Sequence, residues 1–295
     1  MSKTRIMVLT GAGISVAAGL RPYRGPGGIW TEQNVAELST ARAFAENPAR
    51  CAEFWGGMAR AVAAVQPTAA HRALAALEAQ YEVVIATQNV DGLHQAAGSS
   101  EVLELHGSMR RWRCACGDQG DELLREFTRC ECGGWRRPSV VLFDEPLPSA
   151  PLRRAREAAE SCAVLLCVGT SLLVSPASLL PSMAHAAGAG TVYVGVEAPA
   201  YPALWGDIRI GKAEEVVPRL VEESFGVRRM PGRAPIPVLG ESAAAARARG
   251  CNVPFGVGDR ETVVSIEDQY PVKYAWAVLW TNGMKTGVRL PGGST

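Results

Sequence analysis

The chain has 295 residues, enough for one large core and more than one module. Hydrophobic residues make up 47% and the formal net charge is +1, so no global basic excess calls for nucleic acid or an anionic surface, and no apolar run is long enough to span a bilayer. Met1-Ser2-Lys3-Thr4-Arg5 enters a strand-like run at once and leaves no room for the apolar centre of a signal peptide, so the protein is expected in the cytoplasm, where clustered cysteines read as metal ligands before disulfides.

The run Arg5–Thr10 predicts a short buried strand that passes through Gly11-Ala12-Gly13 into a helix start at Ile14–Ala18. Strand, glycine turn and helix open a nucleotide-binding α/β unit. Glycines there let a backbone approach phosphate, and the free N–H groups of the following helix favour an anion. The third glycine of the strict dinucleotide spacing is replaced by Val16, and a plain strand–helix turn is the alternative. Leu20–Trp30, rich in Gly and Pro, is expected to close as a lid, with Arg24 available to a phosphate or carboxylate. Ala41–Val65 is helix-permissive, and Thr68 is a natural N-cap for a helix over Ala69–Gln80.

Tyr81–Thr87 reads as a buried strand, and Gln88, Asn89 and Asp91 gather just past its end, where open α/β sheets bind ligands. A turn that caps the next helix is the alternative for Asp91. A short strand over Val102–Leu105 leads to His106, which titrates near neutrality and suits a general base. His71 and His185 lie in Ala-rich helices and read as structural, and His94 is expected on a helix near the polar cluster. The run Arg110–Arg113 reads as a solvated rim.

Eight cysteines occur, Cys51, Cys114, Cys116, Cys130, Cys132, Cys162, Cys167 and Cys251. Cys114-Ala115-Cys116 and Cys130-Glu131-Cys132 are two close pairs with thirteen residues between them. Four thiolates suit tetrahedral zinc, although the usual pair has two intervening residues rather than one; reduced surface thiols are the alternative. With all four positions filled, such a site is structural. The segment of about 108–137 has little apolar periodicity and is expected to be an insert held by metal.

Further strands are predicted over Ser139–Phe143, Ala163–Val168 and Thr191–Val196, with helices over Leu152–Ser161, Pro176–Ala187 and Ala213–Ser224. Gly169-Thr170-Ser171 ends one strand and offers small hydroxyls to phosphates. This alternation predicts a Rossmann-like, mostly parallel sheet with helices on both faces. Residues 227–237 read as a linker, and 238–295, with an Asn282-Gly283 hairpin signal, as a small β-rich C-terminal appendage.

Taken in order, Gly11–Ser15 with Gly19–Trp30, Thr87–Gly98, His106-Gly107-Ser108, the four cysteines, Val140–Glu145 and Gly169-Thr170-Ser171 resemble the sirtuin family over about residues 5–224. The resemblance implies a catalytic domain over 1–226 that binds NAD and carries a structural zinc module. It implies that Gly11, Ala12, Gly13, Tyr23, Arg24, Gly169, Thr170 and Ser171 line the phosphates and riboses. Gln88, Asn89 and Asp91 would hold the nicotinamide side, Asn89 placing the reacting ribose and His106 acting as base on a ribose hydroxyl. Val140, Val141 and Phe143 would pair with an acyl-lysine peptide as an added strand. The implied activity is NAD-dependent protein lysine deacylation with release of nicotinamide and O-acyl-ADP-ribose. An NAD glycohydrolase or ADP-ribosyltransferase is a second reading, and a non-catalytic NAD-binding interaction protein a third.

Some positions depart from the family pattern. Tyr23 stands where phenylalanine is usual, Pro22 where a polar residue is common, and Gly195 where an asparagine usually meets the adenosine ribose. Trp55 and Met58 replace the tyrosine and arginine of the branch that removes acidic acyl groups, so acetyl or longer apolar acyl groups are expected over succinyl.

Overall fold

The computed structural model of the protein describes residues 3–22 and 33–225. Strand β1 (Arg5–Thr10) opens the fold and turns at Gly11 into a 3-10 segment, Ala12–Ala18, that Gly19 ends in the left-handed region at φ 100°. Helices α1 (Gln33–Leu38), α2 (Ala41–Glu46) and α3 (Pro48–Ala63) follow. The expected helical stretch over Ala41–Val65 is therefore two helices. Asn47 breaks it: its side chain accepts from Arg50 N and Pro48 takes the first position of α3, where no N–H is needed. Helix α4 (Ala69–Ala76) is capped by Thr68 as expected, and His71 completes the box by accepting from the Thr68 N–H.

Strand β2 (Glu82–Thr87), helix α5 (Leu93–Ala96) and strand β3 (Val102–Glu104) lead to a second, antiparallel group: β4 (Gly107–Arg113), β5 (Gln119–Gly120) and β6 (Arg137–Val140). The chain then returns through α6 (Ser149–Ser161), β7 (Val164–Val168), α7 (Leu180–Ala186), β8 (Gly190–Gly195), β9 (Asp207–Ile210) and α8 (Ala213–Phe225). The main sheet is parallel in the order β3-β2-β1-β7-β8-β9. Strand order reverses between β1 and β7, which opens a ligand crevice at the carboxyl ends of those strands.

Both faces of this sheet are covered. Ile6, Val8, Ile85 and Leu166 pack with Leu74 of α4 and Leu220 of α8. Met7, Leu9, Val84 and Leu165 pack with Ala155 of α6 and Leu180 of α7. This is why the strands read as continuous apolar runs rather than alternating ones. A third cluster joins α3 to the antiparallel sheet through Cys51, Trp55, Met109, Trp112, Phe127 and Leu142.

The structure revises several expectations. Arg110–Arg113 lies in β4, where Arg111 and Arg113 are exposed as a rim, pairing with Glu104 at 2.6 Å and Glu145 at 3.2 Å, while Trp112 between them is buried in the core. The register of β4 on β6 shifts between Ser108 and Trp112, and that irregularity hides the apolar alternation. The strand expected at Ser139–Phe143 starts two residues earlier and joins the second sheet. Strand β9, not anticipated, is a short edge with one exposed position, Ile210, and three half-buried ones. Tyr23, Arg24, most of Leu20–Trp30, Cys251, the 227–237 linker and the 238–295 appendage lie outside the described residues.

Candidate active site

The crevice is built by two turns pressed together. Gly13 N donates to Gly169 O at 2.8 Å and Gly11 N to Val168 O at 3.1 Å. A Cβ on Gly11 would stand 2.7 Å from Thr170 Cβ, and one on Gly13 2.7 Å from Gly169 Cα. Gly169 itself has φ 62°. The glycines of the first turn thus have a steric reason in the protein itself: they let the ends of β1 and β7 touch. Ala12 lies in the same turn, at the start of the 3-10 segment.

The polar residues past β2 are bound into this floor. Asn89 Nδ2 donates to Gly11 O at 3.0 Å and to Ser15 Oγ at 3.2 Å. The Ser15 hydroxyl donates to Asp91 Oδ2 at 2.7 Å, and Leu93 N donates to Asp91 Oδ1 at 2.9 Å. Gln88 Nε2 donates to Thr170 Oγ1 at 2.9 Å, spanning β2 to β7. Asp91 is buried, and burial outweighs its hydrogen bonds from Leu93 and Ser15 and raises its pKa. The N-cap of α5 is Gly92, so Asp91 stands just before it, and its one carboxylate takes both the N–H of Leu93, the first residue of the helix, and the Ser15 hydroxyl. Ser171 is exposed beside Thr170 at the crevice rim.

His106 lies half-buried beside these residues. Its Nδ1 is 3.0 Å from Gln88 O. A carbonyl only accepts, so Nδ1 carries the proton and Nε2 keeps its lone pair. Burial lowers the His106 pKa, against the opposing hydrogen bond to Gln88. The neutral, base-competent form is therefore favoured at neutral pH. His106 O accepts from Val141 N at 2.9 Å, and Phe143 N donates to Ser39 O at 2.8 Å. Val140 is buried and paired with Gly107, whereas Phe143 is exposed.

The four cysteines converge. Cys114 and Cys132 sulfurs are 3.5 Å apart, those of Cys116 and Cys130 3.7 Å, and all four lie within 4.8 Å of one another. Tetrahedral zinc with Zn–S of about 2.3 Å places its sulfurs about 3.8 Å apart, so the set fits zinc. The one-residue spacing works because each pair sits in a tight turn: Gly117 N donates to Cys114 O and Gly133 N to Cys130 O, with φ of 96° and 84° at the two glycines.

Residues 11–176 match the model of the Sir2 family, more than half of the chain. The chain belongs to the Sir2 family. Among its relatives, NAD-dependent protein deacylase 2 of Pyrobaculum aerophilum is 44% identical over 229 residues, covering 75% of this chain and 92% of the relative. NAD-dependent protein deacylase 1 of Pseudomonas aeruginosa is 39% identical, covering 75% and 94%. Among solved structures, a Sir2 homologue in complex with NAD has a TM-score of 0.69 at 34% identity, covering 75% of this chain and 89% of that one. A Sir2 protein with a p53 peptide and NAD has a TM-score of 0.65 at 29% identity, covering 75% and 93%.

Within this Sir2-family site, sequence reasoning passed over Ser15 and Arg110. Ser15 bridges Asn89 and Asp91. Arg110 Nε donates to Asp91 O at 3.1 Å and lies against Gly92, where a Cβ would come 2.3 Å from that nitrogen. Ser15 follows the glycine turn directly, which was a usable signal; nothing local marked Arg110. His71 and His94 are both buried, ring centroids 4.7 Å apart, with His94 Nε2 2.9 Å from Thr10 Oγ1.

Proposed function

We propose that this Sir2-family chain is an NAD-dependent protein lysine deacylase that releases nicotinamide and O-acyl-ADP-ribose, with residues 1–226 as its catalytic domain and about 108–137 as an inserted zinc module. The single observation that carries the reading is the imidazole tied by Nδ1 to Gln88 O, which leaves Nε2 free to accept a proton, at the same strand end where Asn89 and Asp91 are bound into the Ser15 network.

The crevice residues suit NAD by their chemistry: amides, a carboxylate and hydroxyls at strand ends, and a backbone turn free of side chains. NAD, when bound, supplies an ADP-ribosyl group whose bond to nicotinamide is the one broken. Asn89 and Asp91, held by Ser15, would fix the nicotinamide side and the reacting ribose. Gly11, Ala12, Gly13, Gly169, Thr170 and Ser171 would face the phosphates, as would Tyr23 and Arg24 on the strength of the resemblance. His106 Nε2 would take the proton of a ribose hydroxyl, turning it into the nucleophile that receives the acyl group. Phe143 is the exposed member of the segment proposed to meet the peptide, while Val140 and Val141 would support it from β6 and from the bond to His106. The four cysteines would hold zinc as a structural clip, since no coordination position is left open. Among the described residues no helix is long and apolar enough to cross a membrane, and we place the protein in the cytoplasm.

Mass spectrometry of products from NAD, with and without an acetyl-lysine peptide, tests this. O-acetyl-ADP-ribose formed only with peptide is expected. The variant His106→Ala should fold, yet lose about a hundredfold or more in turnover. ADP-ribose released without peptide would instead mark an NAD glycohydrolase, and unconsumed NAD a binding protein; either result, or an active His106→Ala, refutes the proposal.

A further inference from the structure

Tyr193 and Gly195 sit two residues apart on β8 and so face the same side of the sheet. Gly195 is not among the glycines of positive φ, so its backbone conformation does not demand glycine. Space does. A Cβ there would lie 2.5 Å from Tyr193 Oη and 2.8 Å from the ring carbons Cε1 and Cζ. The tyrosine ring therefore leans along the strand toward its carboxyl end, and the hydroxyl fills the volume that a side chain at 195 would occupy. The ring is fixed in that pose, being buried and tilted against Trp205 at 5.3 Å between centroids.

The position of this hydroxyl, beside Gly195 at the carboxyl end of β8, gives it a use. Gln88, Asn89 and Asp91 lie at the end of β2, the touching turns at the ends of β1 and β7, and β8 is the next strand. Gly169 N donates to Val194 O at 2.9 Å, stitching the β7 turn to β8. Were the Asn89–Asp91 network at β2 to hold the nicotinamide half and the two turns the pyrophosphate, the strand order would leave the end of β8 for the second nucleoside. A ribose offers vicinal hydroxyls there, and a phenol can donate or accept. Burial first, then Cys167 and Glu197, raises the Tyr193 pKa, which keeps the phenol a neutral donor.

We propose that Tyr193 is a specificity-determining residue for NAD: its hydroxyl bonds the adenosine ribose from the volume that Gly195 leaves open. The asparagine usual in the family at 195 and a tyrosine at 193 exclude each other, since both need the same space. The proposal rests on the functional reading above, and its test separates the two.

Calorimetry with ADP-ribose, which needs no turnover, compares the parent with Tyr193→Phe, which keeps the ring and removes only the hydroxyl. Loss of one ordinary hydrogen bond weakens binding about three- to tenfold. The KM for NAD should rise by the same factor with kcat little changed. ADP-ribose lacking both hydroxyls of its adenosine ribose should bind parent and variant alike. Equal affinity of parent and variant for ADP-ribose overturns the proposal. So does a loss that persists with the dideoxy ligand, which is what a general folding defect produces. A parent that binds ADP-ribose in this way but turns over no acyl peptide overturns the functional reading and leaves the Tyr193 contact standing.

Discussion

Replacing Gly13 with alanine tests the contact on which the crevice is built. The added methyl would stand 2.7 Å from Gly169 Cα and 2.8 Å from Gly169 O, whereas carbon atoms pack at about 3.5–4.0 Å. Both neighbours are backbone, so no rotamer relieves the overlap, and the ends of β1 and β7 must part by most of an ångström. Overpacking of this kind costs about 1–3 kcal/mol, and the lost bond from Gly13 N to Gly169 O adds about 1 kcal/mol. A total of about 2–4 kcal/mol lowers the melting temperature by roughly 5–15 °C for a domain of this size. Opening the turns also separates Gln88 from Thr170, so NAD-dependent turnover should fall further than stability alone explains. Thermal melts and turnover measured on the same preparation check both. A shift under about 2 °C with full turnover would refute the claim that close approach of the two turns shapes the site.

Stability should fall with acid below neutrality. Burial lowers the pKa of His71 to about 4 and that of His94 to about 3. The unfolded chain binds protons at these sites below about pH 6.5 while the native state does not, so stability rises with pH up to that value and is lost beneath it. From pH 7 to pH 5 each histidine contributes a loss of about 2 kcal/mol; equal urea midpoints at the two pH values would refute this. Chelation of zinc, or Cys116→Ser, should cost metal content measured by atomic absorption and unfold the β4–β6 module, seen as loss of the buried Trp112 signal; full metal content and an unchanged spectrum would argue against a four-sulfur site. Trp55 and Met58, both in the apolar cluster beneath the zinc module, predict succinyl-lysine turnover lower than acetyl-lysine turnover by about a hundredfold or more, because an unpaired carboxylate costs several kcal/mol to bury. Comparable kcat/KM on the two peptides would refute this expectation.

By itself the sequence determined the parallel sheet, the crevice strands and the polar groups that gather at their ends. Buried strands such as Arg5–Thr10 and Ala163–Val168 are apolar on both faces, and Thr68 caps α4 by local hydrogen bonding, so these features are written in short range. The cysteine pairs were legible for the same reason, since ligand chemistry is carried by residue type. What only the tertiary structure decided depends on contacts across the chain. Gly13 and Gly169 are far apart in sequence, and their mutual need for a missing side chain emerges only when β1 and β7 lie side by side. Arg110 reads as a surface cation until β4 sets it against Asp91. Gly195 reads as a departure from the family pattern until the tyrosine two residues before it is seen to occupy its space. Steric exclusion and hydrogen bonding between distant segments leave no periodic trace, because each depends on a neighbour that folding alone supplies.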